Sequence, residues 1–474
     1  MREDSSNYDQ FEFDDDEVYS LVRRYEDMLH NNLKIYFDIE EFEIIIDHYL
    51  WEANTSDAIT ATNIANSIFP DSVDLKIRRA EVLILKDEPY SALKILDQLE
   101  KLEPHNAQIN FTKAKANIDI DNIREVNRQF DLAISKESEN PFDLLLQIVD
   151  YLIDISEFEI ALRYLKRAYE KDPLNSDVLY QTAYCYDRLN DWDNSILFYN
   201  KCLDENPFDE GLWHNLGTIY GRKNQHEKAI EAFDYALTVN ENYEPSIYNK
   251  ANTLANLERY DEAIAVFTDF LKLEPENLYA YCTVGECYEK LGDYDKAIEN
   301  YNKVIDIDKN FSDAYYGLSI VMLRQGLYDE SAVYITRALE IDPENPNFWF
   351  GSGELLFKIA NLSDALIAFQ KTVEFNPYDI EAWLYISEIY STAKNTEEAL
   401  LALKKAYVHN YDSPQLCYHL AALYYELNDI SNSVIFLNKG LSLKSSLSDM
   451  FFRVCPQAEN NALIMNVYNQ YKNK

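Results

Sequence analysis

Small and large apolar residues recur along this chain at one fixed spacing of 34 positions, as from Ala229 to Ala263 and on to Ala297. One column of small residues reads Ala80, Ala114, Ala183, Gly217, Ala251, Gly285, Ser319, Gly353, Ser387 and Ala421. A second, twelve residues further on, reads Ala58, Ala92, Ala161, Ser195, Ala229, Ala263, Ala297, Ser331, Ala365, Ala399 and Ser433. Large side chains fill a third column, among them Leu96, Phe130, Tyr199, Phe233, Phe267, Tyr301 and Phe369. The two small columns let antiparallel helices approach closely, so each period predicts a pair of helices joined by a tight turn. Such a pair cannot bury its apolar face alone and must stack on its neighbours.

The prolines keep the same time. Pro70, Pro104, Pro173, Pro207, Pro275, Pro343 and Pro377 lie on the grid, with one inserted residue between Pro104 and Pro173. With the grid proline as position 32, twelve repeats begin at Ile39, Val73, Ala107, Phe142, Ser176, Glu210, Glu244, Leu278, Ser312, Pro346, Ile380 and Pro414. Pro141, Pro245, Pro346 and Pro414 then open first helices, where a missing N–H costs least. Pro89 is expected in the turn of the second repeat, and Pro456 ahead of the last helical segment. Four segments follow: an acidic disordered tail over 1–16, an N-terminal capping helix over 17–38, twelve repeats over 39–447, and C-terminal capping helices over 448–474. The N-terminal cap is expected to bury Val18, Leu21, Tyr25, Met28, Leu29 and Ile35. The closing helix is expected to bury Leu463, Ile464, Val467 and Tyr471.

One repeat carries a fuller signature: Trp213-x-x-Leu216-Gly217-x-x-Tyr220, then Ala229-x-x-x-Phe233, then Ala236. It resembles the tetratricopeptide repeat (TPR) family. The resemblance implies an all-α, right-handed superhelical solenoid whose first helices line a concave groove. It also implies ligand contacts from positions 2, 5, 6, 9, 12 and 13 of each repeat.

Charge narrows the partners. With 83 acidic against 43 basic side chains, the net charge of -40 repels phosphate backbones and anionic membranes, so neither nucleic acid nor membrane is expected. No 18-residue apolar run occurs, so no membrane insertion is expected. The acidic start is unlike a secretory leader, and the six cysteines show no paired spacing. A cytoplasmic location follows. The seven histidines are scattered, and no cofactor or metal is expected. Gly351-Ser352-Gly353 follows no strand and reads as helix packing rather than a phosphate loop. Nothing on the grid has the look of catalysis.

Periodicity turns isolated polar residues into ladders. Position 6 carries Gln147, Gln181, Asn215 and Asn249, with Asn252 one turn on at position 9. A carboxamide offers a donor and an acceptor, which suits holding a peptide main chain regardless of its side chains. The amides stop at Gly317, Gly351, Tyr385 and His419. Position 5 adds Tyr180, His214, Tyr248, Tyr316 and Phe350, large contacts of the kind that dominate interfaces. Position 13 adds Arg188 and Arg222, although cations in a last helical turn also answer the helix dipole. Position 5 holds no lysine, so the carboxylate clamp that some TPR domains use is not expected.

These readings converge on a non-enzymatic adaptor or scaffold that binds an extended segment of a partner protein, with basic residues in that segment matching acids at the groove ends. Two other readings stay open. One is a structural, self-associating homo-oligomeric solenoid; the other is a regulatory subunit bound through an acidic convex face.

Overall fold

A computed structural model of the chain describes residues 15–31 and 33–472, and among them every regular element is a helix. The chain divides into two compact units, Met1–Phe208 and Asp209–Lys474. Repeats 1 to 5 build the first unit and repeats 6 to 12 the second. First helices start at Ile39, Val73, Ala107, Pro141, Ser176, Glu210, Glu244, Leu278, Ser312, Pro346, Ile380 and Pro414. The cause is local. Two residues after each grid proline stands a capping side chain, and those of Ser72, Asn106, Asn175, Asp209, Asn277, Asn345 and Asp379 each accept a first-turn N–H, as does Ser413, which follows Tyr411 in the same place.

Within a repeat the two helices touch through the small columns. Ser195, Ser331 and Ser433 at position 20 each donate to the position-8 carbonyl of the same repeat, at 2.8, 2.9 and 2.8 Å. Position 8 is small because the position-24 ring lies on it. A Cβ at Gly353 would stand 2.6 Å from Phe369, and one at Gly217 would stand 2.7 Å from Phe233. Overlap of that kind is tolerated only by shifting the ring.

Every repeat turns between its helices through a left-handed residue at position 15. Only Gly292 and Gly326 are glycine; Ala53, Asp87, Asp121, Ser156, Asn190, Asn224, Glu258, Ala360, Lys394 and Asn428 all hold positive φ. The N–H of position 16 then reaches back to the position-11 carbonyl, as from Asn361 to Leu356 at 2.9 Å. The side chain at a left-handed residue crowds the next carbonyl, at a cost of about 1 kcal/mol that glycine escapes. Ala360→Gly is therefore expected to stabilise the array by roughly 0.5–1 kcal/mol, read as a higher denaturation midpoint.

Three expectations need correcting. Pro89 is the first residue of the second helix of its repeat, Pro89–Leu102, rather than part of the turn, because the first helical N–H needs no partner. Leu29 is exposed on the helix Asp15–His30, whose buried side is set by Val22 and Tyr25 against Phe42 and Tyr49. Leu463 is exposed on the helix Ala462–Lys472, where Ile464 carries the burial with Val467 and Tyr471 beside it. The acidic tail expected over 1–16 lies outside the described residues except for Asp15 and Asp16, which head the first helix.

Repeat 3 departs from the apolar rule. Lys113 is buried and its Nζ donates to Asp97 at 2.6 Å and Glu100 at 2.7 Å. Asn110, also buried, donates to Gln129 at 2.6 Å and accepts from Lys136 at 2.5 Å. The hydrogen bond from Lys113 holds the Glu100 carboxyl down at about 2.

Candidate functional site

In each unit, first helices of consecutive repeats touch: Ile39–Trp51 with Val73–Leu85 in one, and Leu278–Leu291 with Ser312–Gln325 in the other. Position 6 of one repeat then faces position 9 of the repeat before it. Arg78 Nε lies 2.6 Å from Asp47, and Gln181 Nε2 donates to Asp150 at 2.5 Å. Tyr385 hydrogen-bonds Glu354 in the same relation. Burial raises the Asp150 carboxyl against that bond from Gln181.

This geometry places the amides individually. Gln147, Gln181, Asn215, Asn249 and Asn252 are all half-buried on first helices. Gln181 spends its N–H on Asp150, and its Oε1 is buried without a hydrogen bond. Asn252 donates to the Tyr248 carbonyl at 3.1 Å. The ladder ends for a steric reason. A Cβ at Gly317 would collide with the Tyr301 ring of the preceding repeat, and one at Gly351 would stand 2.8 Å from Tyr316.

The position-5 rings lean on the position-24 ring of their own repeat. Tyr180 meets Tyr199 at 6.0 Å, His214 meets Phe233 at 5.7 Å, Tyr248 meets Phe267 at 5.8 Å, and Phe350 meets Phe369 at 5.6 Å. Tyr316 instead meets Phe348 of the next repeat at 5.1 Å. These contacts fix the rings while leaving an edge partly open, the pre-ordered state that lowers the entropy lost on binding. His214 is further held by Ser246, 3.0 Å from its Nδ1, and burial pushes its pKa down to about 4, so it is neutral at pH 7. Arg188 and Arg222 are exposed, Arg188 lying over the Phe158 ring at 5.7 Å.

Family models decide what this arrangement is. Models described as tetratricopeptide repeat match residues 146–210, 198–231, 316–380 and 414–446, and one described as TPR repeat matches 285–326. The chain belongs to the tetratricopeptide repeat family. Within it, the model of anaphase-promoting complex, cyclosome, subunit 3 matches residues 222–304. No curated protein matches the chain. Among solved structures, yeast Tom70 is 17% identical with a TM-score of 0.48, covering 94% of this chain and 96% of that one. A tetratricopeptide repeat protein from Parabacteroides merdae is 21% identical with a TM-score of 0.46, over 52% of this chain and 97% of that one. The Cut9 and Hcn1 assembly of the APC/C is 13% identical with a TM-score of 0.40, over 93% and 94%.

One TPR feature escaped the sequence reading although it obeys the same period. Val333, Ile367, Leu401 and Ile435 occupy position 22 of repeats 9 to 12, on second helices, and are between 47% and 68% exposed. One turn on stand Arg337, Lys371, Lys405 and Lys439. A stripe of aliphatic and basic rungs therefore runs along the second helices of repeats 9 to 12, legible in the 34-residue spacing once position 22 is aligned. Among the described residues no group of His, Cys, Asp and Glu could hold a metal ion, and no helix is long and apolar enough to cross a membrane.

Proposed function

We propose that the chain is a non-enzymatic adaptor or scaffold of the cytoplasm that holds an extended segment of a partner protein along its first helices. The observation that supports this most is the recurrence of half-buried carboxamides at position 6 beside fixed aromatic rings at position 5. Gln181 supports it: its donor is spent on Asp150, and its buried Oε1 has no hydrogen-bond partner, an acceptor that a main-chain N–H reaching it would satisfy. Cys185, Cys282, Cys287, Cys417 and Cys455 are buried free thiols, in keeping with a reducing compartment.

The test uses two variants, one for each compact unit: Gln147→Ala with Gln181→Ala, and Asn215→Ala with Asn249→Ala. Each is expected to stay folded by circular dichroism and to lose about tenfold or more of partner capture, as two or more lost hydrogen bonds imply. Unchanged capture by both folded variants, measured by quantitative affinity purification, sinks the amide reading.

The exposed aliphatic rungs favour a second reading, self-association through the second helices of repeats 9 to 12. Light scattering on the purified chain then gives an oligomer that Ile367→Lys with Leu401→Lys converts to monomer.

A further inference from the structure

Repeats 8 and 9 bring an acid cluster and an unpartnered phenol together on the first-helix face. Tyr301, at position 24 of repeat 8, is 1% exposed, and its hydroxyl makes no hydrogen bond. Two glycines let the tip of its ring pass between the first helices. A Cβ at Gly285 would stand 2.8 Å from Cε1 and 2.9 Å from Cζ, and a Cβ at Gly317 would overlap the same atoms. The hydroxyl comes within electrostatic reach of Glu286 and Glu289, which lie on Leu278–Leu291. Asp313, in the first turn of Ser312–Gln325, acts on Glu286 in turn.

The surroundings offset these acids only in part. Lys290 Nζ is 4.0 Å from the nearest Glu289 oxygen, beyond hydrogen-bond distance, and Arg324 acts on Glu289 and on Glu354 alike. Both cations are exposed at position 13, one turn away. Burial raises the carboxyl groups of Glu286, Glu289 and Asp313, although Glu286 and Asp313 still reach solvent. Crowded carboxylates that remain open to one side gain from a cation that enters there.

We propose that this face is a subsite for a cationic side chain, lysine or arginine, of the partner segment, held by Glu286, Glu289 and Asp313 with the Tyr301 hydroxyl as a further polar contact. The proposal rests on the groove reading and adds to it the chemistry of one ligand residue and its address. An ammonium or guanidinium supplies the donors the carboxylates lack, and the phenol oxygen can accept one more.

The probe is a labelled peptide of alternating glycine and lysine, with arginine and acetyl-lysine versions, titrated onto the full chain by fluorescence anisotropy at physiological salt. The lysine or the arginine probe is expected to bind, their ratio naming the preferred cation, and the acetyl-lysine probe to fail. Glu286→Gln with Glu289→Gln is expected to weaken binding about tenfold or more, and Tyr301→Phe about threefold. Glu231→Gln with Glu330→Gln, exposed acids on second helices, should leave it unchanged. Equal weakening by the outer and inner pairs overturns the subsite in favour of whole-chain charge, as does binding of acetyl-lysine. An unchanged affinity in Tyr301→Phe removes the phenol from it. The two readings fail separately. If the subsite is wrong, the inner pair binds the probe normally while the amide variants still lose the partner. If the ladder is wrong, the amide variants keep the partner while the inner pair loses the probe.

Discussion

Phe369→Ala is expected to cost about 3–5 kcal/mol and to split the unfolding of the second unit into two steps. Phe369 is fully buried, and its ring fills the space that Gly353 leaves open. It meets Phe350 of its own repeat at 5.6 Å and stacks on Tyr385 of the next at 4.6 Å and 2°. One side chain thus packs the tenth repeat and couples it to the eleventh. In a repeat array stability is a sum of repeat and interface terms, so losing one interface uncouples the two sides. Hydrogen exchange should show repeats 11 and 12 opening before repeats 6 to 9. A single cooperative transition, lowered uniformly, would contradict this account.

Gly317→Asn, which restores an amide where the ladder stops, should destabilise rather than extend the groove, by roughly 2–3 kcal/mol. The reason is the Tyr301 ring, which occupies the place of any position-317 Cβ. Tyr301→Leu in the same chain removes the outer ring atoms and is expected to recover part of the loss. Paired denaturation curves of the single and double variants measure the coupling directly. Full additivity of the two changes would show that the ring is not what forbids a side chain there.

Both outcomes bear on what the sequence could reveal. Contacts inside one repeat were legible: the small columns at positions 8 and 20, the large one at 24, and the helix starts set by proline and cap. These depend only on helix geometry, which a period exposes. Contacts between repeats were not. That Gln181 binds Asp150, that Tyr301 bars a side chain at position 317, and that Tyr316 meets Phe348 of the next repeat all depend on how far each repeat is offset from the last. No column of residue types encodes that offset. The left-handed turn was legible only in part: Asn, Asp or Gly holds position 15 in seven repeats, but Ala53, Ser156, Glu258, Ala360 and Lys394 have no preference for it and are held there by the helices they join. The proposed site was legible as a set of addresses, and the proposed acid subsite was hidden because Tyr301 reads as an ordinary core residue.

The buried polar cluster of repeat 3 has a consequence for assembly. A tandem array offers many nearly equivalent interfaces, so a folding chain can skip a repeat and join the wrong neighbours. Apolar interfaces forgive such an exchange; a buried ammonium that takes its carboxylates from one particular neighbour does not. If repeat 2 met repeat 4 instead, Asp97 and Glu100 would face Leu145 and Ile148 where Asn110 and Lys113 now stand, and the ammonium of Lys113 would be left without its carboxylates. The network works as a key cut for one lock, fixing the order in which otherwise interchangeable parts are joined.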